Sequence, residues 1–295
     1  MDKVTNKLKS KGILVSDGAW GTYLQEMGLQ GGECPELWNI THKDLILGIA
    51  KGYCEKGVDL LETNSFGGSY FKLQLYGLED RVFELNKAAA EISRTAAGQQ
   101  VLVLGSIGPT GKILMTGEVT ETELYNAFRE QALALESGGA DAACIETMSD
   151  LDEALCAIRA VRENSNLEII CTFTFEETRQ GDFRTMMGVS PTEMTRMLLE
   201  NGVRIIGANC GNGIKGMIPI VNEIRQINRE VPILIHANAG LPILKGKKTH
   251  FCETPEEMAK WVPQLVDAGA NIIGGCCGTT TYHIAAIKKA IATMQ

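Results

Sequence analysis

Residues 190–210 read SPTEMTRMLLENGVRIIGANC, and this stretch holds one complete structural repeat. Ser190 is an N-cap, Pro191 suits the first helical position, and Glu193 completes a capping box. The helix so begun ends at Asn201-Gly202, where glycine tolerates the left-handed turn that stops a helix. Val203–Asn209 follows as a near-continuous apolar run. A strand that is apolar at consecutive positions is buried on both faces, as in a parallel sheet covered by helices.

The same punctuation recurs outward in both directions. Thr254-Pro255-Glu256-Glu257 repeats the cap, Thr120 with Glu123 forms another capping box, and Ser149 with Asp152 gives a weaker variant. Glu55-Lys56-Gly57 and Ser137-Gly138-Gly139-Ala140 repeat the helix-ending turn before a strand. Apolar runs occur at Gly12–Ser16, Val58–Thr63, Val101–Ser106, Asp141–Glu146, Leu167–Thr174, Val203–Asn209, Val231–His236 and Asn271–Gly275, with spacers long enough for crossover helices. Eight such units in 295 residues predict an α/β fold, a (β/α)8 TIM barrel, with 1–295 forming a single domain. An open doubly wound sheet with extra strands is the competing arrangement.

The formal charge of −8 argues against nucleic acid or an anionic membrane as partner. No apolar run reaches transmembrane length, and the first twelve residues lack the apolar segment of a secretory signal. Nine cysteines, an odd number in a chain of this size, point to reduced thiols and a cytoplasmic protein. An acidic barrel with apolar outer helices is compatible with a homodimer.

A barrel places its chemistry at the strand C-termini. There the sequence sets Asp17, Glu62-Thr63-Asn64, Ser106, Glu146, Thr172, Asn209-Cys210, His236, Asn238 and Cys276-Cys277. The thiols stand out. Adjacent cysteines on a regular strand point to opposite faces. Cys276 and Cys277 reach one point only if the backbone leaves strand geometry, which Gly274, Gly275 and Gly278 permit. With Cys210 they would form three thiolates and one exchangeable position, an open zinc site. Buried core cysteines or a vicinal disulfide are the alternatives that spacing alone leaves standing. Cys54, Cys144, Cys156 and Cys171 read as core residues, Cys34 and Cys252 as loop residues without a role. His42 and His283 read as surface residues at helix starts, His250 as solvated in a basic loop, and His236 has no assigned role.

The Asn209-Cys210 of strand six, the Gly274-Gly275-Cys276-Cys277-Gly278-Thr279 of strand eight and Asp17-Gly18-Ala19 after strand one resemble the homocysteine S-methyltransferases. The likeness runs from about residue 12 to the C-terminus. It is greatest to the branch formed by the homocysteine-binding modules of cobalamin-dependent methionine synthases. That likeness rests on residues 17–22, on Glu62-Thr63-Asn64-Ser65-Phe66, on Ile107-Gly108-Pro109-Thr110 and on Asn238-Ala239-Gly240-Leu241-Pro242. Departures lie at His236-Ala237, where that branch usually has Tyr-Pro, at Gly211-Asn212-Gly213, and at Gly67-Gly68.

The resemblance implies a zinc ion on Cys210, Cys276 and Cys277, with Asn238 as exchangeable fourth ligand. The ion would activate homocysteine as a thiolate for methylation to methionine. It further implies a pocket of Asp17, Gly18, Ala19, Ser106, Glu146 and Asn209. In that pocket Glu146 pairs with the substrate amine, and Ala19 and Ser106 lie near its carboxylate. No cobalamin-loop pattern Asp-x-His-x-x-Gly occurs. A donor of the methylcobalamin type is therefore expected on a separate corrinoid protein or free in solution. Three other readings remain: a homocysteine methyltransferase using S-methylmethionine or another methyl-onium donor, a non-catalytic zinc- or thiol-binding component of a corrinoid system, and a metal-free barrel lyase. The lyase lacks a lysine at any predicted strand end.

Overall fold

A computed structural model describes residues 2–246 and 248–294. Eight parallel strands form the central sheet: β1 Leu14–Val15, β2 Leu60–Glu62, β3 Leu102–Ile107, β4 Ala142–Met148, β5 Glu168–Phe173, β6 Ile205–Gly213, β7 Ile233–Asn238 and β8 Ile272–Gly275. Their order is β1-β8-β7-β6-β5-β4-β3-β2, with helices in the crossovers. The sheet curls until β1 and β2 meet. There the Asp59 N–H donates to the Val15 carbonyl at 2.7 Å, and the Asp59 carboxylate accepts the Val15 N–H at 3.1 Å. The expected TIM barrel is thus present, and the open doubly wound sheet is not.

The sequence signals acted as expected at most helix ends. Thr120, Ser190 and Thr254 each close a full capping box. Gly57, Gly139 and Gly202 adopt positive φ before their strands. One expectation fails: Asp150, not Ser149, caps the helix Leu151–Asn164, accepting from the Asp152 and Glu153 amides. Aspartate outcompetes the preceding serine because its side chain sits at the position from which both amides are in reach.

The period of two along a strand decides what lies inside the barrel. Leu14, Leu60, Leu104, Cys144, Ile170, Ile205, Leu234 and Ile272 pack into one buried cluster with Val4 and Leu8. Those last two belong to the helix Lys3–Lys11, which covers the N-terminal end of the barrel. Glu168 accepts the Val4 and Thr5 amides at its start, and Lys11 pairs with Asp59 at its end. Two residues further along each strand the same inward face carries Ser16, Glu62, Ser106, Glu146, Thr172, Gly207, His236 and Gly274. The interior is therefore apolar below and polar above, and that boundary sets the depth of the site.

Candidate active site

The polar layer opens into a cavity of about 330 Å³. Its wall includes residues 18–22, Glu62 through Phe66, Ser106, Glu146-Thr147, Cys210, His236 and Cys276-Cys277.

Three thiols stand on one side. The Sγ atoms of Cys210, Cys276 and Cys277 lie within 4.8 Å of one another, and Cys210 and Cys277 are 3.9 Å apart. Local backbone departures produce this convergence. Cys210 has φ 58°, unusual for a residue with a Cβ, and sits where the β6–β7 register shifts between Asn209 and Gly213. So β6 runs past Cys210 instead of ending there, with a bulge that turns the thiol. β8 does stop at Gly275, which frees Cys276 and Cys277 from alternation. Their backbone stays tied to both neighbours. The Cys276 N–H donates to the Ala237 carbonyl at 2.7 Å, the Ala239 N–H to the Cys277 carbonyl at 3.0 Å, and the Gly275 N–H to the Asp17 carbonyl at 2.8 Å.

The thiols share charge unequally. Hydrogen bonds from Cys276 and Cys277 pull Cys210 down to about 3, while the same contacts hold Cys276 well above the usual thiol range and push Cys277 up to about 12. Three sulfurs at this spacing hold one negative charge by themselves; a divalent cation would stabilise three. Beside them the buried Asn238 Oδ1 has no hydrogen-bond partner. Soft thiolates plus one idle amide oxygen suit zinc, so the residues present fit the metal.

Four buried carboxyl groups surround the cavity, Glu36, Glu62 and Glu146 in its wall and Asp17 behind it. Asp17 Oδ2 accepts the Trp20 indole N–H at 3.0 Å and the Glu62 N–H at 2.9 Å, and Oδ1 accepts the Ser16 hydroxyl at 3.3 Å. Glu146 Oε1 accepts the Ser106 hydroxyl, and Oε2 accepts Asn209 Nδ2 at 3.0 Å. Burial pushes Asp17 and Glu146 each up to about 7. Glu62 is held well above the carboxylate range, first by burial and then by the charges of Glu146 and Asp17.

Asn209 ties the two sides together. Its Oδ1 accepts the Thr147 N–H and the Thr172 hydroxyl, both at 2.8 Å, while Nδ2 donates to Glu146 and to Thr147 Oγ1 at 2.7 Å. Thr147 also has φ 58°, at the β4–β5 register shift between Ile145 and Met148. Two bulges, on β4 and on β6 with β5 between them, are thus clamped by one amide.

Of the sequence-predicted residues, Gly18, Ala19, Ser106, Glu146, Cys210, Cys276 and Cys277 line this cavity, while Asp17, Asn209 and Asn238 stand behind it, bonded to Glu62, Glu146 and Cys210 respectively. Several have their polar groups already engaged by protein. The Ala19 N–H donates to Thr279 Oγ1 at 3.0 Å and the Ser106 hydroxyl is committed to Glu146, so neither is free for a substrate carboxylate. Asn209 is likewise saturated. Gly18 allows a close approach: a Cβ there would lie 2.7 Å from Thr279 Oγ1.

Gly67-Gly68 packs against Glu36 and Asn86. The Gly67 N–H donates to Glu36 Oε1 at 2.7 Å, and a Cβ at Gly68 would fall 2.2 Å from Asn86 Oδ1. Cys34, expected in a polar loop, is buried with Sγ 3.3 Å from Glu36. His283, expected at the surface, is buried because its ring caps its helix through Thr280 and meets the Glu253 carbonyl at 3.0 Å. His42 is exposed and stacks on Trp38. The sequence reading gave Glu62 and His236 no role; only their positions at strand ends flagged them.

Three thiols and a set of buried carboxyls gather at the mouth of a β/α barrel, the layout of a barrel enzyme whose chemistry sits at the strand C-termini. The profile of the homocysteine S-methyltransferase family matches residues 14–291. The chain belongs to that family. It is 32% identical to methionine synthase of Mycobacterium tuberculosis and 31% identical to that of Mycobacterium leprae, covering 97% and 95% of this chain. It spans only about a quarter of their length, 25% and 24%. The metallated form of the homocysteine methyltransferase MmuM from Escherichia coli has the same fold. Its TM-score is 0.80 at 23% identity, over 97% of this chain and 99% of that one. No helix of the described residues is long and apolar enough to cross a membrane.

Proposed function

We propose that residues 1–295 act as one homocysteine-binding unit that methylates homocysteine to methionine with zinc held by Cys210, Cys276 and Cys277. The observation that carries this reading is the convergence of the three thiols beside the unpartnered Asn238 Oδ1. The bound metal would supply one thing: it keeps a thiol deprotonated at neutral pH without removing its nucleophilicity.

The protein's own residues do the rest. Backbone hydrogen bonds to β1 and β7 fix Cys276 and Cys277, and the Asn209 clamp fixes the strand that presents Cys210. Asp17 and Glu146 make the pocket acidic and favour an acceptor bearing an ammonium group. The cavity, buried on most sides, limits water around the acceptor sulfur and holds it for in-line transfer.

For the donor we favour a methylcorrinoid. The family membership and the identity to methionine synthases over this region support it. Reduced thiols at the mouth favour a reducing compartment, the cytoplasm.

The test is anaerobic decay of methylcobalamin absorbance with zinc-loaded protein and homocysteine. Decay that requires both, with methionine formed, is expected. No methionine from methylcobalamin, from a methylated corrinoid protein or from S-methylmethionine would overturn the reading.

A further inference from the structure

The seam where the first and last strands meet runs into the candidate site. β1 and β8 pair at two residues each, Leu14 with Ile272 and Val15 with Ile273. The bond from the Gly275 N–H to the Asp17 carbonyl carries the ladder one step further. Beyond it the two segments take up different tasks. The chain after β1 becomes the pocket wall at Gly18-Ala19-Trp20, and the chain after β8 becomes the thiol pair Cys276-Cys277. Thr279 joins them.

Its hydroxyl makes two bonds of opposite sense. It donates to the Cys276 carbonyl at 2.7 Å and accepts the Ala19 N–H, 260 positions away, at 3.0 Å. The direction of both is fixed, because a peptide N–H can only donate and a carbonyl can only accept. The Thr279 N–H reaches the same Cys276 carbonyl at 3.1 Å, closing a tight turn in which Gly278 has φ 79°. Thr279 is 1% exposed, so solvent is not at hand to replace either partner. The sequence clears space for this side chain on two sides. A Cβ on Gly18 would lie 2.7 Å from the hydroxyl oxygen, and a Cβ on Gly275 would overlap the same side chain. Thr22, half-buried at the rim, accepts the Gly278 N–H at 3.0 Å, but it holds the glycine after the thiols and not a thiol residue.

A metal site keeps its affinity when its ligands wait at the right spacing, and contacts behind the ligands set that spacing. Cys276 and Cys277 lie beyond the end of β8, so strand alternation does not place them. In-line transfer further requires the activated sulfur and the pocket wall to keep one offset. A single hydroxyl meets both requirements, since its two partners are the thiol turn and the wall.

We propose that Thr279 is a positioning residue: its hydroxyl sets the thiol pair after β8 against the pocket wall after β1, and the affinity of the three-thiol site for a divalent metal depends on it. This rests on the reading of Cys210, Cys276 and Cys277 as a zinc site.

The test measures zinc affinity by competition with a chromophoric chelator, under reducing conditions, for wild type, Thr279→Val and Thr279→Ser. Valine keeps the shape without the hydroxyl, and serine keeps the hydroxyl without the methyl. Thr279→Val is expected to bind zinc about 10- to 100-fold more weakly, the range for losing a contact behind a metal ligand. Thr279→Ser is expected to match wild type. Cobalt-substituted proteins give a second readout, because the visible bands of Co2+ follow the arrangement of its ligands. They should shift in Thr279→Val and stay in place in Thr279→Ser, a distinction that a general loss of stability would not produce. Wild-type affinity and bands in Thr279→Val, or equal weakening in both variants, would overturn the proposal. If Thr279→Val does not fold, Gly18→Ala takes its place, because its Cβ presses on the same hydroxyl; weaker zinc binding supports the proposal and wild-type binding overturns it. Wild-type protein that holds no zinc would remove the underlying reading instead.

Discussion

Replacing Asn209 with alanine should destabilise the protein by roughly 4 kcal/mol. The figure follows from the groups left behind. The Thr147 N–H loses its acceptor at 2.8 Å, a penalty of about 1–3 kcal/mol, and Glu146 loses a donor at 3.0 Å, about 1.5–3 kcal/mol for a bond to a charged group. The Thr172 hydroxyl can rotate to another partner and adds little. For a chain of this size that amounts to a fall of about 10 °C in Tm. Asn209→Asp separates the contributions. It keeps the two acceptor contacts and turns the donor contact to Glu146 into repulsion, so its instability should grow as pH rises past 7, where Glu146 ionises. The assay is urea unfolding of both variants at pH 6 and pH 8. If Asn209→Ala costs less than about 1 kcal/mol, water replaces the amide and the clamp between the two bulges does not exist.

Three further outcomes are expected. Cys276→Ala should lose most of its zinc on dialysis against a mild chelator while wild type retains about one ion per chain, measured by atomic absorption; full retention would dissolve the site. In metal-free protein the raised Asp17 carboxyl binds a proton in the folded state that it releases when unfolded, from about pH 4 to about pH 7. Its contribution to stability is therefore lost as pH rises through that window, at up to about 1.4 kcal/mol per unit. Urea midpoints of Asp17→Asn should show a shallower pH slope than wild type, and parallel curves would contradict the assignment. Gly274→Ala would place a Cβ 2.6 Å from the Asp17 carbonyl and 2.8 Å from the His236 ring, so a loss of about 1–3 kcal/mol by chemical denaturation is expected, and an unchanged midpoint would contradict the close packing of β1 on β8.

The barrel was legible because its units are locally encoded. Ser190-Pro191-Thr192-Glu193 and Thr254-Pro255-Glu256-Glu257 each declare a helix start within four residues, and the apolar runs need no distant partner to be recognised. The thiol cluster was legible for a related reason: glycines around Cys276 and Cys277 announce a broken strand. What the chain does not spell out locally could not be read. Asp59 closes the barrel by bonding to Val15, forty-four positions away. Asn209 looks like any strand-end asparagine until its partners Glu146 and Thr147 on β4 and Thr172 on β5 are placed around it. Cys34 and His283 were misread because burial in loops and at helix starts depends on tertiary cover, not on neighbouring residues.

The helix Lys3–Lys11, seated by Val4 and Leu8 under the strands, closes the N-terminal end of the barrel, and the cavity lies at the other end, among the strand C-termini. Whatever enters must leave by the way it came. A donor too large for a cavity of about 330 Å³ would act from the rim, as a stopper over the acceptor beneath it. With such a donor the order of events is dictated by shape: acceptor in first, donor docked and withdrawn, and product released last.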